Sequence, residues 1–283
     1  MNHPPSLKGC SVWVAGAARS GVGAARLLKD MGAKVFVTDS GKIDDENRRT
    51  LEKLKIPFEE MGHSLDSFAS EADLLVLSPA ILLDRSIAAT ARKHGIPIVS
   101  EIEVAGWKMR GHRVCGITGT NGKSTTTNYL AQLLTLSDLS GEACGNIGRS
   151  FSVAAHEKPT ASFAVELSSY QLETTYTLRP KCTVLLNLQN DHQARYENLE
   201  DYLKAKWRLV LLTADDGVAC IDAHCLDYAI RMGLPLPQAT VVVLGRVPNM
   251  VAKTPKALAD RLNLSKTLPL ALYHDLRKLP TEN

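Results

Sequence analysis

Gly116-Ile117-Thr118-Gly119-Thr120-Asn121-Gly122-Lys123-Ser124-Thr125-Thr126 is the stretch that decides the fold. Upstream, Arg113-Val114-Cys115-Gly116-Ile117-Thr118 is a short apolar run of strand character. Downstream, Ser124 to Leu134 continues at helical period, with Tyr129, Leu130, Leu133 and Leu134 expected on one face. A glycine-rich turn feeding a helix N-terminus aims several backbone N–H groups at one point, where the helix dipole also favours anions. In such a loop Lys123 reaches the outer phosphates of a nucleotide and the Ser124 hydroxyl a magnesium ion. The spacing departs from the standard G-x-x-x-x-G-K-S/T, because Ile117 holds the position of the first glycine. Read alone, the string also admits the lesser alternative of a glycine-rich turn with a solvated lysine.

The surroundings favour the nucleotide. The 283-residue chain is 45% hydrophobic and 22% charged, the composition of a soluble globular protein with room for two domains. A net charge of +3, with no basic run interleaved with aromatics, implies no nucleic-acid partner. Met1-Asn2-His3-Pro4-Pro5 lacks the pattern of a signal peptide and no apolar run is of membrane-spanning length, so no membrane partner and a cytoplasmic location are expected. The six cysteines are scattered without a C-x-x-C pair, which favours buried free thiols over disulfides. Cys220, His224 and Cys225 lack the second close pair of a structural zinc site.

Before the loop, Gly9 to Gly16 reads as a strand, Ala17 to Gly23 as a glycine turn, Ala25 to Met31 as a helix face, and Ala33 to Asp39 as a second strand ending in an acid. That is the opening of a dinucleotide-type α/β unit, although glycines at 16, 21 and 23 do not make G-x-G-x-x-G, so a redox cofactor is not assured. Leu74 to Leu77 and Pro97 to Val99 are further strands around a helix from Ser86 to His94. A boundary is expected in Ser100 to His112, dividing a Rossmann-like domain over 1–107 from a P-loop-type α/β domain over 108–283. After the loop, strands are expected at Phe163 to Leu167, Cys182 to Leu188, Val218 to Ile221 and Thr240 to Leu244, with helices at Leu199 to Leu212 and around Cys225 to Met232. Near-continuous apolar strands separated by helices predict mostly parallel sheets covered on both faces. From Arg246 the pattern fades, apart from a short helix near Ala257 to Leu262.

Glu166 ends one strand, and Asp191-His192 follow another. In parallel α/β sheets the carboxyl ends of the strands form the ligand edge, the edge that carries the glycine loop. Glu166 and His192 are candidate magnesium-site groups beside Ser124, with the imidazole the odd member among oxygen ligands. Singly, Glu166 reads as a polar strand end, His192 as a solvated loop residue and Lys206 as a solvated helix lysine.

Thr118 to Ser124, Gly145-Asn146-Ile147-Gly148, Val165-Glu166-Leu167-Ser168-Ser169-Tyr170-Gln171-Leu172, and Asn187 to His192 followed by Ala205-Lys206 together resemble the Mur ligase family, the ATP-dependent amide-forming enzymes of peptidoglycan synthesis. The likeness runs from about Lys8 to Val243. The Glu-Leu-Ser-Ser-Tyr-Gln-Leu string and the opening from Gly16 to Gly23 look most like the branch that joins D-glutamate to UDP-N-acetylmuramoyl-L-alanine. The resemblance implies ATP and Mg2+ as cofactors, a monomer, and reaction through an acyl phosphate. It implies ATP contacts from Gly119, Thr120, Asn121, Gly122, Lys123, Ser124 and Thr125. It gives metal roles to Ser124, Glu166, His192 and a carbamylated Lys206, catalytic roles to Lys123, Lys206 and His192, and UDP-sugar contacts to Ser20, Gly21, Asp39, Ser78 and Asn146. Family members carry a third domain, which is not expected within these 283 residues. The family's His-Asn motif is not recognisable, Tyr273-His274-Asp275 being a remnant, and the tail from Pro248 reads as a truncated or frameshifted end. A substrate-binding remnant without turnover is therefore a second expectation.

Overall fold

The computed structural model describes residues 6–83, 85–109, 113–191 and 195–245. His192, the expected helix near Ala257 and the tail from Pro248 lie outside the described residues. In chain order the elements are β1 (Ser11–Ala15), α1 (Arg19–Asp30), β2 (Lys34–Thr38), α2 (Asp45–Lys53), β3 (Phe58–Glu59), α3 (Leu65–Glu71), β4 (Leu74–Leu77), α4 (Ser86–Lys93), β5 (Ile98–Ser100), α5 (Glu101–Lys108), β6 (Val114–Thr118), α6 (Lys123–Leu136), β7 (Gly141–Gly145), α7 (Phe151–Glu157), β8 (Ser162–Glu166), α8 (Ser169–Leu172), β9 (Cys182–Leu185), α9 (Leu199–Leu212), β10 (Val218–Asp222), α10 (Ala223–Arg231) and β11 (Thr240–Leu244). The α/β alternation expected from the sequence is the alternation observed, and among the described residues no helix is long and apolar enough to cross a membrane.

The chain divides into two compact units, Met1–Val114 with Thr127–Arg179, and Cys115–Thr126 with Pro180–Asn283. In the first, a five-stranded sheet runs β3-β2-β1-β4-β5, with every pairing parallel. The Val12 to Ala15 stretch of β1 is wholly buried, the mark of a parallel strand covered on both faces. Trp13 packs at 4.3 Å from Phe36 and 5.4 Å from Phe68 between ring centroids, joined by Leu75, Leu77 and Ile87. The strands β7 and β8 of the same unit also pair in parallel, Gly145 opposite Glu166.

Residues 101–108, read from sequence as part of a boundary, form the buried helix α5, which packs on α1 and α7. The Ser100 hydroxyl caps it by accepting from the Glu103 N–H at 3.2 Å, and Gly23 lets α7 approach, because a Cβ there would lie 2.7 Å from Val153 and 2.8 Å from the Ser152 hydroxyl. The expected face of α6 is also displaced. Thr127 and Ala131 are its buried residues, whereas Tyr129 and Leu133 are 65% and 58% exposed. The reason is the close approach of the start of β7: a Cβ on Gly141 would lie 2.0 Å from the Ala131 carbonyl and 2.8 Å from Leu134 Cβ, so the helix meets the chain there at Ala131 and Leu134.

In the second unit the parallel order is β11-β10-β9-β6. Leu185, Ile221 and Val243 meet Leu203, Trp207 and Leu226 in its core. α9 begins at Asn198, whose side chain accepts from the Asp201 N–H at 2.9 Å, with Glu200 and Asp201 in the dipole-favoured first turn. Trp207 anchors the helix by donating to the Pro235 carbonyl at 2.8 Å. The opposite face of β9, β10 and β11 is half-buried. That pattern explains why Cys182 and Cys220 are only half-buried; Cys10 and Cys115 are half-buried as well, against the expectation of buried thiols, which Cys144 and Cys225 meet.

Candidate functional site

In the second unit the glycine loop leaves β6 and turns into α6. Gly119 and Gly122 have φ of 152° and 82°, left-handed conformations that other residues adopt at a cost. The helical ladder starts with the Thr126 N–H donating to the Gly122 carbonyl at 3.0 Å. The preceding amides therefore point out of the helix end, the geometry of an anion site. Asn187, just beyond β9, holds the loop's shape. Its Oδ1 accepts from the Thr120 N–H at 3.1 Å and the Asn121 N–H at 2.9 Å, while its Nδ2 donates to the Asn121 carbonyl at 3.0 Å. Gln189 adds a bond from its N–H to the Thr120 hydroxyl at 3.0 Å and accepts from the Asn121 amide at 2.8 Å. Thr120 and Asn121 thus spend their N–H groups on the clasp. Sequence reasoning placed Asn187 within a family string without a role; a short polar side chain directly after a strand that neighbours the loop strand was the available signal.

Two lysines converge on this loop. Lys123 Nζ donates to the carbonyls of Gly119 at 3.1 Å and Thr120 at 2.9 Å. Lys206, from the buried side of α9 and only 1% exposed, donates to the same Gly119 carbonyl at 2.8 Å and lies 4.4 Å from the centroid of the Tyr202 ring. Burial, followed by the nearby Lys123 charge, pushes the Lys206 amine down to about 7, with Asp191 opposing. A lysine near neutrality is a nucleophile at physiological pH, which an ordinary solvated lysine is not. Ser124 and Thr125 occupy the first turn of α6 and are exposed.

The first unit carries the remaining predicted residues in two groups. At the carboxyl edge of the five-stranded sheet, Gly16, with φ of 96°, turns the chain from β1 into α1. A Cβ on Gly21 would lie 1.8 Å from the Gly16 carbonyl, and one on Gly16 would lie 2.6 Å from Ser78 Cβ, so Gly21 and Ser78 crowd this turn. Asp39 Oδ2 accepts from the Ala17 N–H at 2.7 Å and its Oδ1 from the Gly41 N–H at 2.8 Å, fixing the turn beside Ser20. No side chain caps α1 at Ala18. In the second group, Asn146 follows β7 and donates from Nδ2 to Glu166 Oε1 at 2.9 Å, while its N–H donates to the Glu166 carbonyl at 2.9 Å. Glu166 is 2% exposed at the end of β8.

Two buried carboxylates escaped the sequence reading. Glu103 accepts from the N–H groups of Tyr176 at 2.8 Å and Thr177 at 2.7 Å, from the Thr177 hydroxyl, and from Trp107 Nε1 at 3.2 Å. Glu101 accepts from the Ser152 N–H through Oε1, and its Oε2 is buried with no hydrogen-bond partner in the structure. Desolvation pushes this carboxyl up to about 7. Among the described residues no group of three or more His, Cys, Asp or Glu could hold a metal ion.

Comparison with known proteins places this arrangement. The Mur ligase middle domain matches residues 117–234, and the MurD N-terminal domain matches residues 21–87. A UDP-N-acetylmuramoylalanine–D-glutamate ligase of Chlorobaculum tepidum is 42% identical over 215 residues, 73% of this chain and 45% of that protein. One of Bacteroides thetaiotaomicron is 37% identical over 206 residues, 72% of this chain and 46% of its own. The chain thus spans about half the length of the curated relatives it matches. A crystal structure of UDP-N-acetylmuramate:L-alanyl-gamma-D-glutamyl-meso-diaminopimelate ligase from Neisseria meningitides superposes with a TM-score of 0.57 at 21% identity over 84% of this chain and 78% of that one, a likeness of fold. With a MurD N-terminal domain and a Mur ligase middle domain matched in order along it, the chain belongs to the Mur ligase family.

Proposed function

We propose that this chain provides the UDP-sugar-binding and ATP-binding portions of a ligase that joins D-glutamate to UDP-N-acetylmuramoyl-L-alanine in the cytoplasm. The observation that carries the reading is the loop of residues 119–125, held by Asn187 and served by Lys123 and Lys206. Residues 1–107 serve the UDP-sugar and residues 108–283 the nucleotide, in a monomer that engages neither nucleic acid nor membrane. ATP suits the outward-pointing amides at the start of α6 and the Lys123 ammonium, which would move from the loop carbonyls to the outer phosphates. Ser124 and Glu166 supply oxygen donors, the chemistry Mg2+ prefers. The metal lowers the charge on the phosphates when bound.

In the proposed reaction the carboxylate oxygen of the L-alanyl group attacks the terminal phosphorus of ATP and ADP leaves. The D-glutamate nitrogen then attacks the acyl carbon, phosphate departs and the nitrogen loses its proton. The side chains contribute chiefly position and charge. Lys123 neutralises the phosphoryl oxygens, Asn187 keeps the loop in its binding shape, and Asn146 fixes the Glu166 carboxylate. Ser20, Gly21, Asp39 and Ser78 form the UDP-sugar turn. Lys206, with its amine near neutrality, is suited to take up carbon dioxide as a carbamate, an anionic oxygen ligand that His192 would accompany at a second metal.

The test is phosphate release by the purified chain with ATP, Mg2+ and UDP-N-acetylmuramoyl-L-alanine, with and without D-glutamate. Release that depends on D-glutamate supports the ligase; release that follows a different amino acid assigns another specificity within the family. A second reading is a binding protein without turnover. It expects UDP-sugar and nucleotide titrations that saturate with no phosphate released.

A further inference from the structure

Three cysteines lie on neighbouring strands of the second unit, Cys115 and Cys182 near the amino ends of β6 and β9, opposite the carboxyl ends that carry the glycine loop and Asn187. Cys115 on β6 is in register with Cys182 on β9. Cys182 is in register with Val218 on β10, which puts Cys220, two residues on, on the same face of the sheet. All three are half-buried, open to small reagents and shielded from bulk solvent. The Cys182 thiol lies between the other two and interacts with both. Its influence holds the Cys115 thiol below its ordinary value, whereas Cys115 pushes Cys182 up to about 12, and Cys182 raises Cys220 well above its ordinary value. The thiolate is the nucleophile in cysteine chemistry, so Cys115 is the reactive member of the row.

We propose that Cys115 and Cys182 form a peroxide-oxidisable dithiol, with Cys115 the attacking sulfur and Cys182 the resolving one. The Cys115 thiolate attacks one oxygen of hydrogen peroxide and, with one proton, gives a sulfenic acid and water. The Cys182 sulfur displaces the hydroxyl of that sulfenic acid, losing its own proton, and releases a second water as the S–S bond forms. Two thiols are oxidised by two electrons and one peroxide is reduced. Neighbouring strands stand about 4.8 Å apart, inside the roughly 4.4–6.8 Å Cα range that a disulfide spans, so the register brings the two sulfurs within reach after a small local adjustment. The bond would join the strand that feeds the glycine loop to the strand that feeds Asn187.

The experiment treats the reduced 283-residue chain with hydrogen peroxide over time, alkylates the remaining thiols, and maps disulfides and modified cysteines by mass spectrometry without reduction. The expected product is a Cys115–Cys182 peptide pair that forms at least tenfold faster than oxidation of Cys10, the half-buried cysteine outside the row. In Cys182→Ser the pair is absent and a sulfenic-acid probe labels Cys115. A Cys182–Cys220 pair as the main product, or oxidation of Cys10 ahead of Cys115, overturns the proposal. The wild-type competition among six thiols needs no variant to fold.

Discussion

Replacement of Lys206 by methionine should stabilise the fold while removing the proposed carbamate. The amine is buried, and desolvation together with the Lys123 charge lowers it from 10.5 to about 7. At about 1.4 kcal/mol per pH unit, that gap is up to about 5 kcal/mol of stability forgone at neutral pH by holding this lysine where it is. The Gly119 carbonyl loses one donor but keeps Lys123, so about 1–2 kcal/mol should be subtracted for that bond. The net expectation is up to about 3–4 kcal/mol in favour of Lys206→Met at pH 7, or roughly 6–15 °C in Tm. The sign has a pH signature. Between about 7 and 10.5 the unfolded chain holds this proton and the folded chain does not, so the wild-type protein gains stability as pH rises through that window and the advantage of methionine shrinks. Thermal unfolding of both proteins at pH 7 and pH 9.5, in buffer freed of carbon dioxide, reads the difference. A methionine variant less stable by the same amount at both pH values would refute the reasoning. Bicarbonate returned to the pH 7 sample should stabilise only the wild type.

Asn187→Ala removes three hydrogen bonds from the loop, and nucleotide affinity measured by calorimetry should fall at least about tenfold, with stability lower by about 1–3 kcal/mol; unchanged affinity would mean the clasp is dispensable. Glu101 has its carboxyl raised from 4.5 to about 7, so its neutral form is the one the fold favours and wild-type stability should drop by up to about 3 kcal/mol between pH 4.5 and pH 8. Glu101→Gln should flatten that pH dependence in thermal melts, and a slope identical to wild type would reject the assignment. Gly21→Ala places a Cβ 1.8 Å from the Gly16 carbonyl and should cost about 2 kcal/mol or more, with loss of UDP-sugar binding by titration; wild-type binding in this variant would show that the turn yields.

The strands were legible because parallel sheets bury both faces and so write themselves as apolar runs, as at Val12 to Ala15 and Leu74 to Leu77. The loop was legible because left-handed turns select glycine, at 119 and 122. What stayed hidden depended on partners distant in sequence. Helix α5 carries two glutamates on buried positions, and no periodicity rule admits charge to a core; Glu103 is made tolerable chiefly by the amides of residues 176 and 177, more than seventy residues away. The face of α6 was misjudged for a similar reason, because the bare Gly141 backbone, rather than a row of side chains, sets which residues it buries. At the site, Lys206 was found through family likeness, and its titration could come only from the structure, since neither its depth nor the distance to Lys123 is written in the residues around it.

The four bonds gathered by Glu103 bear on how the chain can be dissected. Tyr176, Thr177 and Trp107 satisfy a carboxylate buried to 1% exposure. The Ser100 N–H likewise donates to the Thr174 carbonyl at 2.8 Å, and the Ser100 and Thr175 hydroxyls lie 2.8 Å apart. A fragment cut after residue 107 would carry the whole five-stranded sheet and still leave behind every partner that segment 174–177 supplies, stranding an anion among apolar side chains. Modules that evolution or engineering would exchange at that cut are therefore not separable folding modules. A soluble first half requires residues 127–179 in the same polypeptide, or neutral replacements at positions 101 and 103.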